Sequence, residues 1–205
     1  MSKFVWILDP GHGGLNPETG EYVTPGKRSP VWDDGTQYFE GVGNRDIVNR
    51  ILKRCRNEGV LAIDVVNDWE DVSLSTRVNR ANAIYKYHKN CIYVSVHSNG
   101  FTKESAHGYS VYTSRGQTKS DAYADILLSY MEYEFPDHKF RKDTSDGDND
   151  KEAGFYVLRN TRMPALLSEN FFMTNRKECK LLLTEDFRDR IANCHFKMIK
   201  KIENE

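Results

Sequence analysis

The chain has 205 residues and a formal net charge of −1, with 39% hydrophobic and 29% charged residues. That length suits one domain spanning residues 1–205 with a sizeable core, and the near-zero charge argues against the broad basic face that a nucleic-acid partner requires. The apolar run Phe4–Leu8 is too short for a secretory signal core, and no stretch approaches the roughly 18 apolar residues of a membrane span, so synthesis in the cytoplasm without a signal peptide is expected.

In chain order, residues 3–8 (KFVWIL) form a continuous apolar run that predicts a strand buried on both faces. Residues 13–39 are rich in Gly, Pro and Asp and predict a long loop. Ile47, Val48, Ile51, Leu52 and Cys55 then recur at helical spacing up to Gly59. Residues 60–66 predict a strand, 73–89 a helix capped near Ser73 or Ser75, 91–97 a strand and 107–114 another. Ala122, Tyr123, Ile126, Leu127, Tyr130 and Met131 mark one face of a further helix, and the polar stretch 135–154 predicts an exposed loop. GFYVLRN and MPALLSE predict two more strands, followed by a short helix from about Asn175 and a longer one carrying Phe187, Ile191, Cys194, Met198 and Ile202. Alternating strands and helices imply an α/β fold, a single sheet with crossover helices. Cys55, Cys91, Cys179 and Cys194 are widely spread, with no C-x-x-C pair, and are expected as buried thiols rather than a disulfide framework.

In such sheets ligands gather where the strands end. His12 lies just past the first strand, His97 ends the run CIYVSV, and Glu169 ends MPALLS. Glu40 sits before the helix whose apolar stripe starts at Ile47. Two histidines and one carboxylate form a catalytic zinc set with a position left for water, and a second, unligated carboxylate can act as general base and then acid. The glycines around His12 would let the backbone turn sharply. Each residue also has a plainer explanation: His12 as a turn cap, His97 as a core histidine, Glu40 as a helix-start acid, Glu169 as a strand-end acid. Asp33 and Asp34 are competing ligands. His107, beside Gly108, is a candidate substrate contact, as is Asn99; His138 is expected to be solvated and His88 to sit at a helix end. Residues 146–150 (DGDND) resemble a fragment of a calcium loop without its bidentate acid, so a solvated loop is expected.

The stretches ILDPGHGG, EGVGN, SLSTRVNRAN, YVSVHSNG, HGYSVY and MPALLSENFFMTN occur in the order seen in zinc-dependent N-acetylmuramoyl-L-alanine amidases of the amidase-3 type, and the chain resembles that family from residue 4 to about 195. The resemblance implies a twisted, mostly parallel sheet of about six strands with helices on both faces. It implies one zinc ion held by His12, Glu40 and His97, with Asn44 supporting Glu40 and with Arg77 and Asn82 bonding loops beneath the site. It implies hydrolysis of the amide between the lactyl group of N-acetylmuramic acid and L-alanine of the peptidoglycan stem, with a zinc-bound water as nucleophile and Glu169 as general base and acid. The partner is then peptidoglycan, with no nucleic acid or membrane and a monomer favoured; a lysin of phage or prophage type, or a wall-remodelling enzyme whose export signal lies outside this sequence, is expected to act on the cell wall without a separate wall-binding module.

Two features depart from the family pattern. Phe171 stands where a glycine usually follows the catalytic glutamate by two residues, and the segment from Gly13 to Phe39 is longer than usual before the second ligand. Tyr22, Arg28, Trp32, Asp33, Asp34 and Tyr38 in that segment could wall the substrate. The alternatives are a non-catalytic peptidoglycan-binding domain of the same fold, which Phe171 would favour, or a zinc peptidase cutting within the stem peptide.

Overall fold

Apolar runs separated by glycine- and proline-rich turns pair into one sheet in the computed structural model, which describes residues 2–205. In chain order the elements are β1 (Val5–Pro10), α1 (Glu40–Asn57), β2 (Ala62–Asp64), α2 (Leu74–Tyr87), β3 (Cys91–Asn99), β4 (Ser110–Thr113), α3 (Lys119–Glu134), β5 (Lys151–Glu152), α4 (Tyr156–Asn160), β6 (Ala165–Phe172), α5 (Arg176–Leu182) and α6 (Glu185–Asn204). The strands lie in the order β2-β1-β3-β6-β4-β5. The pairs β1–β2, β1–β3 and β3–β6 are parallel, whereas β4 runs antiparallel to β6.

Because side chains alternate across a strand, the sheet has two apolar faces. Trp6, Leu8, Ile92, Val94, Val96 and Leu166 face α1, α3 and α6, where Ile47, Ile51, Leu127, Met131, Ile191 and Met198 are fully buried. Val5, Ile7, Tyr93, Ala165 and Leu167 face α2 and α4 through Val78, Ala81, Val157 and Leu158. This burial on both faces explains the unbroken apolar run of β1.

Local chemistry sets the helix ends. The Ser73 hydroxyl accepts a bond from the Thr76 amide and starts α2, as the sequence predicts. Asn175 caps α5 by accepting from the Lys177 and Glu178 amides, and Thr118 and Asp121 form a reciprocal capping box at α3. All four cysteines are free and buried.

Two expectations are corrected. GFYVLRN is not a strand: residues 156–160 form α4, whose adjacent residues Val157 and Leu158 are both buried against the α2 face. Five residues are too few to separate helical from strand periodicity, and tertiary packing decides. The stretch 135–154 is largely loop but contributes β5, which pairs Lys151 with Tyr112 and Glu152 with Thr113 at the sheet edge.

Candidate metal centre and active site

Parallel pairing brings the C-terminal ends of β1, β3 and β6 to one rim. His12 follows β1 by two residues, and His97 pairs directly with Glu169 across the β3–β6 ladder. Glu40 is the first residue of α1, where the positive end of the helix dipole favours a carboxylate. Its Oε1 accepts from His12 Nε2 at 3.2 Å, from His97 Nδ1 at 3.1 Å and from the Ser98 amide at 3.3 Å. The two imidazoles meet edge to face with centroids 4.9 Å apart. One donor atom from each of His12, Glu40 and His97 lies within 4.8 Å of the others. Ligands on a tetrahedral zinc, with bonds of 2.0–2.2 Å, stand about 3.3 Å apart, so the donor types and their spacing fit a zinc ion.

The two carboxylates of this rim are tuned in opposite directions. Burial pushes Glu40 up, but hydrogen bonds and charge from His12 and His97 outweigh it and hold the carboxyl well below the usual range. Glu169 is pushed up to about 7: burial dominates, the His97 charge opposes it and the Glu40 charge adds to it. Glu169 Oε2 is buried and has no hydrogen-bond partner. An orphaned carboxylate oxygen beside three side chains of types able to ligate a metal is costly unless something binds there, which strengthens the fit to a cation site.

The His12 turn rests on two arginines, Arg77 buried and Arg45 half-buried. The His12 carbonyl accepts from Arg45 Nη1 at 2.8 Å and Arg77 Nη2 at 2.9 Å. Arg77 also bonds the Pro10 carbonyl at 2.7 Å and pairs with Asp9, which accepts from the Tyr93 and Ser95 hydroxyls at 2.7 Å each. Asn44 Nδ2 donates to the Gly11 carbonyl, and Asn82 ties the segment after α4 through Asn160 and Arg162. The sharp turn is made by His12 itself, at φ 65°, rather than by its glycine neighbours. Gly11 is needed for another reason: a Cβ there would lie 2.2 Å from the His97 ring.

Phe171 occupies a second left-handed position, φ 63°. The β3–β6 register slips there, from His97 opposite Glu169 to Asn99 opposite Phe172, which marks a bulge directly after the acid. The Phe171 ring is fully buried and packs against Phe135, His138 and Phe187 at centroid distances of 5.4, 5.0 and 5.0 Å. The backbone form that suits glycine is thus adopted by a phenylalanine, with Glu169 in register with His97.

A cavity of about 550 Å³ opens over the rim, lined by His12, Glu40, His97 and Glu169 together with Asn99, Lys27, Arg28, Leu74, Phe155 and Tyr156. His107 is not brought to it; that ring bonds the Ser105 carbonyl and lines a separate cavity of about 980 Å³. Asp33 and Asp34 turn away from the rim and pair with Arg176 and Lys180. Trp32 and Tyr38 are buried in the core rather than facing the cavity. His138 is half-buried among aromatic rings instead of solvated, and burial lowers its pKa.

The sequence matches the N-acetylmuramoyl-L-alanine amidase family over residues 7–201. The chain belongs to that family. Among curated relatives, an endolysin of Bacillus phage SPP1 is 31% identical over all of this chain and 67% of its own length. The N-acetylmuramoyl-L-alanine amidase AmiA of Escherichia coli is 26% identical over 93% of this chain and 73% of its own. Among solved structures, an N-acetylmuramoyl-L-alanine amidase from Clostridium difficile 630 aligns with a TM-score of 0.79 at 21% identity, covering 100% of this chain and 99% of that one. AmiC2 of Nostoc punctiforme aligns at 0.76 and 24% identity, over 99% and 98%. These likenesses establish the amidase-type α/β fold. Lys27, Leu74, Phe155 and Tyr156 are among the cavity residues that sequence reasoning missed; a lysine–arginine pair inside a loop of otherwise turn-forming residues was the available signal for the first.

Proposed function

We propose that this chain hydrolyses the amide between the lactyl group of N-acetylmuramic acid and L-alanine of the peptidoglycan stem, with residues 1–205 acting as one catalytic unit. His12, Glu40 and His97 would hold one zinc ion. When bound, zinc supplies Lewis acidity, which polarises a carbonyl and lowers the pKa of an adjacent water. Glu169 is the general base: its carboxylate takes the proton of the attacking water and returns it to the leaving alanine nitrogen. Burial gives Glu169 a proton affinity suited to both transfers, and a neighbouring divalent cation would extend its ionised range to lower pH. Asn99, on the cavity wall beside His97, is placed to meet substrate.

The observation that carries this reading is the Glu169–His97 register pair beside a closed His–Glu–His trio. The likeness to a phage endolysin supports action on the cell wall as a lysin, and no described helix is long and apolar enough to cross a membrane.

The test separates the roles. Glu169→Gln is expected to retain zinc stoichiometrically while turnover falls about 100- to 10,000-fold, whereas His12→Ala loses both metal and turnover. Elemental analysis is paired with mass analysis of digested muropeptides. Fragments bearing free L-alanine amino termini and intact lactyl carboxylates support the amidase; cuts within the stem would identify a peptidase, and full activity of Glu169→Gln would remove that residue from the mechanism.

A further inference from the structure

The cavity over the rim has two unlike sides. Leu74, Phe155 and Tyr156 present apolar surface, at 52%, 38% and 40% exposure. Lys27 and Arg28 face the same space from the long loop before α1. Elsewhere on the same loop and on α1, Asp33, Asp34 and Asp46 are already paired with Arg176, Lys180 and Arg188. Among the described residues, neither Lys27 nor Arg28 has a carboxylate within 4.0 Å.

The Arg28 side chain and the Lys27 backbone are held in place. The Arg28 guanidinium lies 5.5 Å from the Tyr22 ring centroid and 5.6 Å from that of Phe39, and the two rings lie 4.8 Å apart. The Tyr22 hydroxyl accepts from the Gly41 amide at 3.0 Å, and the Lys27 carbonyl accepts from the Glu40 amide at 3.0 Å. The loop is thereby fastened to the residue that would ligate the metal. A guanidinium stacked on two rings gives up little freedom when it receives a planar anion.

We propose that Lys27 and Arg28 form a carboxylate subsite that binds the acidic group of the stem peptide next beyond the scissile amide, so that the enzyme selects stems by charge. The inference rests on the amidase reading above. In peptidoglycan the second stem residue is a γ-linked glutamate whose α-carboxylate is either free or amidated. The subsite favours the free acid, through charge-assisted hydrogen bonds that a neutral carboxamide cannot match.

The experiment compares two probes, N-acetylmuramoyl-L-alanyl-γ-D-glutamate with a free α-carboxylate and its α-carboxamide. With the zinc-loaded wild type, kcat/KM is expected to favour the carboxylate by about ten- to a hundredfold, mainly through KM. Lys27→Gln/Arg28→Gln brings the ratio towards one, and Arg28→Lys retains part of it. Lys27→Glu/Arg28→Glu inverts it in favour of the carboxamide, an outcome that misfolding cannot produce. Calorimetric binding of both probes to Glu169→Gln reads the same preference without turnover. Equal handling of the two probes by the wild type, or an unchanged ratio in the variants, overturns the subsite. If the wild type frees no L-alanine amino terminus from either probe, the amidase reading fails, and the calorimetric ratio still decides the subsite.

Discussion

The ends of β1 and β6 face the same rim, and each is followed or closed by a left-handed residue that is not glycine, His12 at φ 65° and Phe171 at φ 63°. Such a backbone costs on the order of 1–2 kcal/mol. The two ends meet that cost differently. The β1 turn is held by directed polar bonds from Arg45 and Arg77, which converge on carbonyls and on Asp9. The β6 bulge is held by undirected packing of one ring among Phe135, His138 and Phe187. The polar end fixes a backbone atom tightly but fails when one partner goes, because the remaining groups are buried and unpaired. The aromatic end depends on volume and tolerates changes of chemistry that preserve shape.

The largest test breaks the polar end. Arg77→Met leaves the buried Asp9 carboxylate without its counter-ion, removes the arginine donor of the Pro10 carbonyl and leaves the His12 carbonyl to Arg45 alone; it is expected to cost about 3–5 kcal/mol in urea unfolding and to weaken zinc binding. Its counterpart at the other end is Phe171→Ala, with an expected loss of about 3–5 kcal/mol but zinc content retained, since none of the proposed ligands His12, Glu40 and His97 rests on that ring. A chelator titration of both variants shows whether metal affinity separates the two ends.

A third measurement concerns His195, which sits on α6 beneath β6. Its Nδ1 donates to the Ile191 carbonyl, so its Nε2 accepts from the Ser168 hydroxyl at 3.0 Å; the amide of Asn170 joins Ser168 to the His97 carbonyl. Burial holds His195 neutral, with its pKa lowered to about 4. The unfolded chain takes up a proton below about 6.5 that the folded chain refuses until about 4, so stability falls as pH drops through that window, by on the order of 3 kcal/mol in all. His195→Leu should flatten this slope relative to wild type when urea midpoints are measured at pH 7 and pH 5, and an unchanged slope would place the titration elsewhere. The smallest effect sharpens the account of β6: Phe171→Gly should be more stable than Phe171→Ala by about 1–2 kcal/mol, reversing the usual order, because only glycine is at ease at that φ.

Much of this architecture was legible in the chain. The strands β1, β3 and β6 announced themselves as apolar runs, and their shared rim followed from the rule for open α/β sheets, which placed His12, His97 and Glu169 near one another. Glu40 was harder, since α1 begins seven residues before its first apolar landmark, Ile47. The substitution at Phe171 was visible, but its left-handed backbone was not, because the rings packed around it come from Phe135 and His138, just after α3, and from Phe187 on α6 rather than from neighbours in sequence. α4 was misread for a related reason: five residues take their form from α2 and the sheet, and carry too little periodicity of their own. Lys27 stood in a loop with no repeating pattern, where only three-dimensional closure onto Glu40 reveals which side chains face the cavity.

One carboxylate oxygen of Glu40 already gathers both imidazoles at distances near the edge of a zinc tetrahedron. Under the proposed zinc reading, loading the centre would exchange protons for a cation without rebuilding the chain. On that reading, protein stripped by a chelator should keep its shape and regain activity on simple remetallation, because the trio is already close to its loaded arrangement.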